Sequence, residues 1–206
     1  MAAAKSRWVL SIGAVVLLLG FTVLLVHTYR PEWFQIPVSG VSAEEYRVFS
    51  GFLNDFVQQQ QQNGNYQKAT KLRVVNETFL RRDPGNMLPL DVVSLGSEQM
   101  GRDFYRKNRK RFPLQSEFET RLLVELVSNS YAEKASWGGF GSSTPNDSYT
   151  PGIFSLSRPG FNGEKSAAIL YYWLRCGGIC GQSGWVLLRK VNDTWHIEKF
   201  GMSVIR

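Results

Sequence analysis

AAILYYWLRCGGICGQSGWVLLRKVNDTWHI, residues 167–197, is the stretch that decides the fold. Its first ten residues, 167–176, are apolar on both faces of a pleated strand, which is typical of a strand in the middle of a sheet. A glycine-rich turn separates this strand from a second one at 185–191. Asn192-Asp193 then predicts a tight hairpin turn before a last strand at 194–205. The pattern therefore predicts an antiparallel β-meander.

Upstream of this sheet, the sequence predicts a long helix that begins after Ser42. Ser42 and Glu45 have the spacing of a capping box, in which each side chain bonds the backbone N–H of the other residue. The polar run Asn63-Gly64-Asn65 ends the helix. Apolar residues at helical spacing mark one buried face, and they are Tyr46, Phe49, Phe52, Leu53, Phe56 and Val57.

The rest of the domain contains shorter elements. Residues 98–111 read as a second helix, and residues 71–80 and 153–158 read as strands. Residues 118–127 form a short apolar stretch that fits a strand or a helix equally well. The fold class is therefore predicted as α+β, with about two helices packed on an antiparallel β-meander sheet in one domain over residues 42–206.

The amino-terminal segment contains an uncharged apolar run of 19 residues at 8–26. As a helix this run would span roughly 28 Å, close to the hydrocarbon thickness of a bilayer. The alternative is a cleaved signal peptide with Lys5 and Arg7 as its charged region, but no Ala-x-Ala-like cleavage site follows the run. We therefore predict a cytoplasmic tip and transmembrane helix over residues 1–30 and a tether over residues 31–41.

The orientation of this predicted anchor follows from charge. Lys5 and Arg7 precede the apolar run, and only Arg30 follows it directly. Because positive residues are retained on the cytoplasmic side, we expect a single-pass cell-membrane protein with a cytoplasmic N-terminus. The domain would then be extracytoplasmic, in the periplasm of a bacterium, and its first partner would be membrane lipid around the N-terminal helix.

The charge and cysteine content limit the classes of function. The net charge of +7 comes from 24 Lys and Arg against 17 Asp and Glu, a mild and mixed excess that argues against nucleic acid as a partner. The two cysteines, Cys176 and Cys180, predict a local disulfide in an oxidising compartment. Free buried thiols, a redox pair and a metal site are the alternatives. Two cysteines cannot complete a tetrahedral metal site, so no metal and no cofactor is predicted.

The segment SLSRPGFN, residues 155–162, is the main candidate for ligand binding. An arginine beside hydroxyl groups can hold a carboxylate or phosphate through two hydrogen bonds. The alternative is a strand end whose arginine pairs with an acid of the protein, while glycine and asparagine form the turn. The aromatic-rich loop predicted at 136–152 adds a further candidate. The candidate binding residues are Ser155, Ser157, Arg158, Asn162 and Trp137.

No set of catalytic residues is evident in the sequence. A G-x-S-x-G motif is missing, and His196 lies within a predicted strand, where histidine is more often a packing residue than a base. Several carboxylates, Asp55 among them, can meet in space, but the sequence gives no reason to choose a pair. We therefore predict no catalytic residue.

Four segments of the carboxyl-terminal part resemble a known family. They are LSRPGFN (156–162), AAILYY (167–172), CGGICGQSGWVLLRK (176–190) and NDTWHI (192–197). This set is similar to uncharacterised bacterial proteins, exported or membrane-anchored, that carry an LSRxGFN…CGxLCGxGxYxLLxK tail. The chain departs from that pattern at Pro159. The resemblance implies bacterial origin, export and an intact fold, and it implies no activity.

Two classes of function remain open from the sequence. The first is a membrane-tethered extracytoplasmic module without catalytic activity, which binds a protein or ligand partner or is associated with the cell envelope. The second is a thiol-redox or hydrolytic enzyme that uses the CGGIC turn or the SLSR segment. The anchor and the missing catalytic set favour the first.

Overall fold

A computed structural model describes residues 40–79, 96–138, 151–176 and 181–205, with the side chains of 136–138 and 202–205 left aside. None of the helices in these ranges is long and apolar enough to cross a membrane. The predicted span at 8–26 lies outside the described residues. The elements in chain order are α1 (Ala43–Gln62), β1 (Lys71–Val75), α2 (Glu98–Lys107), β2 (Leu123–Val127), α3 (Asn129–Gly138), β3 (Ile153–Leu156), β4 (Gly160–Phe161), β5 (Ala167–Arg175), β6 (Gly181–Val191) and β7 (Thr194–Ile205).

The strands form one seven-stranded sheet in the order β2-β1-β3-β5-β6-β7, with β4 paired to β5. The predicted meander is confirmed for β5, β6 and β7, which pair antiparallel. The sheet as a whole is mixed, however, because β1 pairs parallel with both β2 and β3. The prediction of a purely antiparallel sheet was therefore wrong. Parallel neighbours need a crossover between them, and the connections that carry α2 and α3 provide it.

The α+β class is confirmed, but the described part of the chain holds three helices where about two were predicted. The unpredicted helix is α3, which extends into the loop predicted at 136–152. Its buried contacts come from the small side chains of Ala132 and Ala135. Alanine gives a weak hydrophobic period, so this helix lacks the pattern that revealed α1.

Local signals at the ends of elements are confirmed. The Ser42 N–H donates to Glu45 Oε2 at 2.8 Å, and the Glu45 N–H donates to Ser42 Oγ at 3.4 Å, which completes the capping box. Asn192 and Asp193 have φ values of 47° and 64°, as a two-residue hairpin turn with left-handed backbone requires. The stretch 118–127, which fitted a strand or a helix equally well, contains strand β2. Its pairing with β1 decides in favour of the strand.

The sheet buries both of its faces because side chains alternate along each strand. On one face, α1 packs against the main core, which includes Phe154, Tyr172 and Leu174. On the other face, α2 covers Ile169 and Trp185, and α3 covers one apolar residue from each of β1, β2 and β3. At about 1.5–3 kcal/mol for each large apolar side chain, this two-sided burial supplies the main stabilisation of the fold.

Candidate functional site

Arg158, the central residue of the SLSRPGFN segment, lies in the interior, with only 2% of its surface exposed. Its Nε donates to Glu45 Oε1 at 2.9 Å and its Nη2 donates to Glu45 Oε2 at 2.8 Å. Glu45 is itself 1% exposed and also serves the capping box of α1. The arginine therefore pairs with an acid of the protein, which is the second of the two interpretations of this segment.

The other candidate residues of the segment bond to different elements. Ser157 Oγ accepts the Tyr171 N–H at 2.9 Å, and Ser155 Oγ accepts from Arg175 Nη2 at 3.0 Å. Asn162 Oδ1 accepts the Ser166 and Ala167 N–H groups at 2.9 and 3.0 Å, which closes the turn into β5. The segment thus connects strands, turn and helix, and its role in ligand binding stays a prediction.

Two further candidate positions lie at the limits of the description. Trp137 falls in α3, but its side chain is outside the described set. Cys176 directly follows β5, while Cys180 lies outside the described residues, so their disulfide stays a prediction. No group of three or more His, Cys, Asp or Glu side chains suited to a metal ion occurs within the described ranges.

A polar cluster surrounds the Glu45–Arg158 pair. Lys107 Nζ lies 2.7 Å from Asp103 Oδ2 and 3.8 Å from Glu45 Oε1, and it donates to the Pro159 carbonyl at 3.2 Å. Burial lowers the pKa of Lys107. Burial alone would raise the pKa of Asp103, but hydrogen bonds from Lys107, the Phe161 N–H and Arg106 outweigh it and lower that pKa. Two acids, Glu45 and Asp103, are therefore in contact with three bases, Arg106, Lys107 and Arg158.

Acid is expected to weaken this cluster through Asp103. Its pKa in the folded protein lies below its usual value of 3.8, so the native state favours the carboxylate. The stability that this preference contributes is complete above the unfolded pKa and is lost as pH falls through the folded one. The stability difference between wild type and Asp103→Asn should therefore be largest near neutral pH and shrink below pH 3.8. Urea denaturation across that range measures it, and a difference that stays constant would contradict the expectation.

A groove between α1 and β7 has a volume of about 500 Å³. On the helix side it is lined by Asp55 and by the exposed amides of Gln58, Gln59 and Gln62. On the strand side its lining is five consecutive residues of β7: His196, Ile197, Glu198, Lys199 and Phe200. We call this surface the α1–β7 groove.

The strand side of the groove is a strand edge rather than a face. Alternate residues of a strand point to opposite faces, so five consecutive lining residues indicate that the backbone edge itself borders the groove. β7 is the last strand in the order of the described sheet. Asp55 Oδ2 accepts the Ile197 N–H at 2.8 Å and thereby occupies one position of this edge.

An acid–histidine pair lies in the same groove. His196 Nδ1 is 3.3 Å from Asp55 Oδ2, and the side chain of His196 is 51% exposed. An acid that orients a histidine is part of many catalytic sites, but such sites also need a nucleophile or a bound water in reach. The lining of the groove includes no serine, threonine, tyrosine or cysteine. The arrangement supports hydrogen bonding to a ligand better than nucleophilic attack.

Sequence reasoning missed this groove. His196 was interpreted as a packing residue. Asp55 and His196 lie 141 positions apart, and only the packing of α1 on β7 brings them together. The signal available in the sequence was the row of glutamines on a helix that had to cover the sheet.

Comparison of the chain with models of protein families, with curated proteins and with solved structures found no match.

Proposed function

We propose that this chain is a non-catalytic binding module, held at a membrane by its N-terminal segment, whose extracytoplasmic domain binds an extended segment of polypeptide in the α1–β7 groove. The observation that carries the proposal is the strand edge in the wall of an open groove. An exposed edge presents backbone N–H and C=O groups to which another extended chain can pair.

The helix side of the groove complements such a ligand. Glutamine amides both donate and accept hydrogen bonds, as peptide groups do. Gln58, Gln59 and Gln62 are exposed and lie along one side of the groove, opposite β7. Because Asp55 already accepts the Ile197 N–H, we place the pairing of a bound peptide at the following residues, 198–200. Phe200 adds an apolar surface for one peptide side chain.

The membrane location rests on the apolar run at 8–26, which is long enough to span a bilayer. An attached binding domain would search for partners close to the membrane surface, where attachment raises the effective concentration of each partner. An association with envelope proteins fits this placement. The predicted Cys176–Cys180 disulfide belongs to the same proposal, because it requires an oxidising compartment.

The groove is tested with peptides and the full chain in lipid nanodiscs. We expect selection from a library of random 12-residue peptides to enrich sequences that bind the chain and not empty nanodiscs. Gln59→Arg places a long charged side chain in the groove, and we expect it to weaken the selected peptides about 10-fold or more, as loss of a well-placed contact does. Fluorescence anisotropy measures the affinities.

Gln99→Arg is the matched control, since Gln99 is an exposed glutamine of α2, outside the groove. It should leave peptide affinity unchanged. Selection that enriches no peptide over empty nanodiscs would oppose the proposal. Equal affinity for wild type and Gln59→Arg would oppose the groove as the binding site.

The alternative function is a thiol-redox or hydrolytic enzyme that uses the CGGIC turn or the SLSR segment. Thiol titration with and without reductant separates the redox version from the binding module. One inert disulfide favours the binding module, whereas a reactive thiol with a lowered pKa favours the enzyme.

A further inference from the structure

Three arginines are buried in the part of the chain that the structure describes. Arg73, Arg158 and Arg175 are exposed by only 4%, 2% and 6%. Arg158 pairs with Glu45, and Arg73 pairs with Glu125. Arg175 forms no ion pair with a described carboxylate. A buried guanidinium loses hydration, and without a counter-ion that loss is not offset.

The contacts of Arg175 are neutral ones. Its Nη2 donates to Ser155 Oγ at 3.0 Å and to Asn129 Oδ1 at 3.4 Å. Its Cζ lies over the ring of Trp173, 4.4 Å from the ring centroid. Its Nε is buried and has no hydrogen-bond partner among the described atoms. One strong donor of the site is therefore left for a group from outside.

The acid that could act as a counter-ion for Arg175 already accepts a hydrogen bond from another residue. Glu133 attracts Arg175 through space, but its Oε1 accepts from Asn129 Nδ2 at 2.8 Å. Arg111, a second cation, repels Arg175 electrostatically and is paired with Glu77. Among the described residues, Arg175 therefore has the attraction of Glu133 through space but no carboxylate in direct ion-pair contact.

The position in the fold suits an anion as well. Asn129 is the first residue of α3, a ten-residue helix whose dipole places partial positive charge at this end. Helix α3 directly follows the carboxyl end of β2, and β2 is parallel to β1 and β3. Arg175 pairs with Ile153, the first residue of β3, and its side chain reaches from there to Asn129. Ser128 and Ser130, on either side of Asn129, are exposed, and Ser128 Oγ accepts the Tyr131 N–H at 3.1 Å.

We propose that Arg175, Ser155 and the first turn of α3 form a binding site for an oxyanion, the carboxylate or phosphate group of a small ligand. The guanidinium supplies charge and hydrogen-bond donors, and the Ser155 hydroxyl proton is available to the same anion. The site is separate from the α1–β7 groove, because Ser155 and Arg175 lie on the α3 side of the sheet, where their neighbour Ile153 packs under α3, while α1 covers the other side. It holds or fails independently of the function proposed for the groove.

The test uses the full chain in detergent micelles, with inorganic phosphate and acetate as probes and chloride to keep the ionic strength constant. A ligand that binds only the native state raises the midpoint of thermal unfolding as its concentration rises. We expect that rise with phosphate, with acetate or with both, and the two probes distinguish a phosphate ligand from a carboxylate ligand. Arg175→Gln should weaken the apparent affinity about 10- to 100-fold, the range for losing hydrogen bonds to a charged group.

Arg189→Gln is the matched control, because Arg189 is exposed and paired with Glu198 at the surface. It should keep the affinity of the wild type. If Arg175→Gln does not fold, the ¹H–¹⁵N signal of Arg175 Nε in the wild type gives the answer without a variant, since a bound oxyanion shifts it to saturation. No rise of the midpoint with either probe overturns the site. An equal rise of the unfolding midpoint in Arg175→Gln also overturns the site. So does a rise in the wild type that is not accompanied by a shift of the Arg175 Nε signal.

Discussion

Arg158→Met is expected to lower the free energy of unfolding by about 3–5 kcal/mol, the cost of leaving one member of a buried ion pair without its partner. The carboxylate left behind is Glu45, which is 1% exposed and loses two hydrogen bonds of 2.8–2.9 Å. Its remaining partners are the capping groups of Ser42 and, at 3.8 Å, Lys107. Arg158 also lies over the ring of Phe112, 4.5 Å from its centroid, and methionine replaces only the apolar part of that contact.

Urea denaturation followed by tryptophan fluorescence measures the loss. Arg189→Met is the control, because the Arg189–Glu198 pair is exposed at both ends and such pairs contribute about 0–1 kcal/mol. Arg175→Met gives a second comparison: it removes a buried arginine that forms no ion pair with a described carboxylate, so its cost should be well below that of Arg158→Met. Equal losses in Arg158→Met and Arg175→Met would contradict the importance of the Glu45 partner.

Gly51→Ala is expected to destabilise the domain by about 3 kcal/mol, the upper part of the range for overpacking a core. Gly51 lies in the middle of α1, where alanine would otherwise gain up to about 1 kcal/mol from helix propensity. Here the added Cβ would collide with the Trp195 carbonyl oxygen and lie 2.7 Å from the Trp195 Cβ. Backbone atoms cannot rotate away, so α1 has to move off β7, and the collision outweighs the gain in propensity.

The same denaturation experiment tests Gly51→Ala. Gly163→Ala is the matched control, because a Cβ there meets only the end of the Gln99 side chain, at 3.0 Å, and that side chain is free to turn. Its effect should stay within about 0.5 kcal/mol, as for an ordinary surface substitution. A Gly51→Ala variant as stable as the wild type would show that α1 does not rest on β7 as closely as described. Loss of the α1–β7 contact would also remove the α1–β7 groove.

The elements that the sequence predicted well depend on neighbouring residues. The Ser42–Glu45 capping box and the apolar period of α1 act within one or two helical turns. The meander of β5, β6 and β7 follows from apolar runs joined by short connections, and Asn192-Asp193 selects its last turn. These signals are local, so they can be recognised in the amino-acid sequence alone.

Features that join distant parts of the chain were decided by the tertiary structure. Parallel pairing of β1 with β2 and β3 depends on crossovers, whose direction no local pattern records. The partner of Arg158 lies 113 positions away, and the histidine that meets Asp55 lies 141 positions away. That Arg175 forms no ion pair with a described carboxylate is likewise visible only in the three-dimensional structure. The pattern of residues along the chain determined the fold class and the meander, and it predicts the membrane segment. Three-dimensional packing decided which charges are paired and which surface is exposed. Pairing and exposure depend on distances in space rather than along the chain.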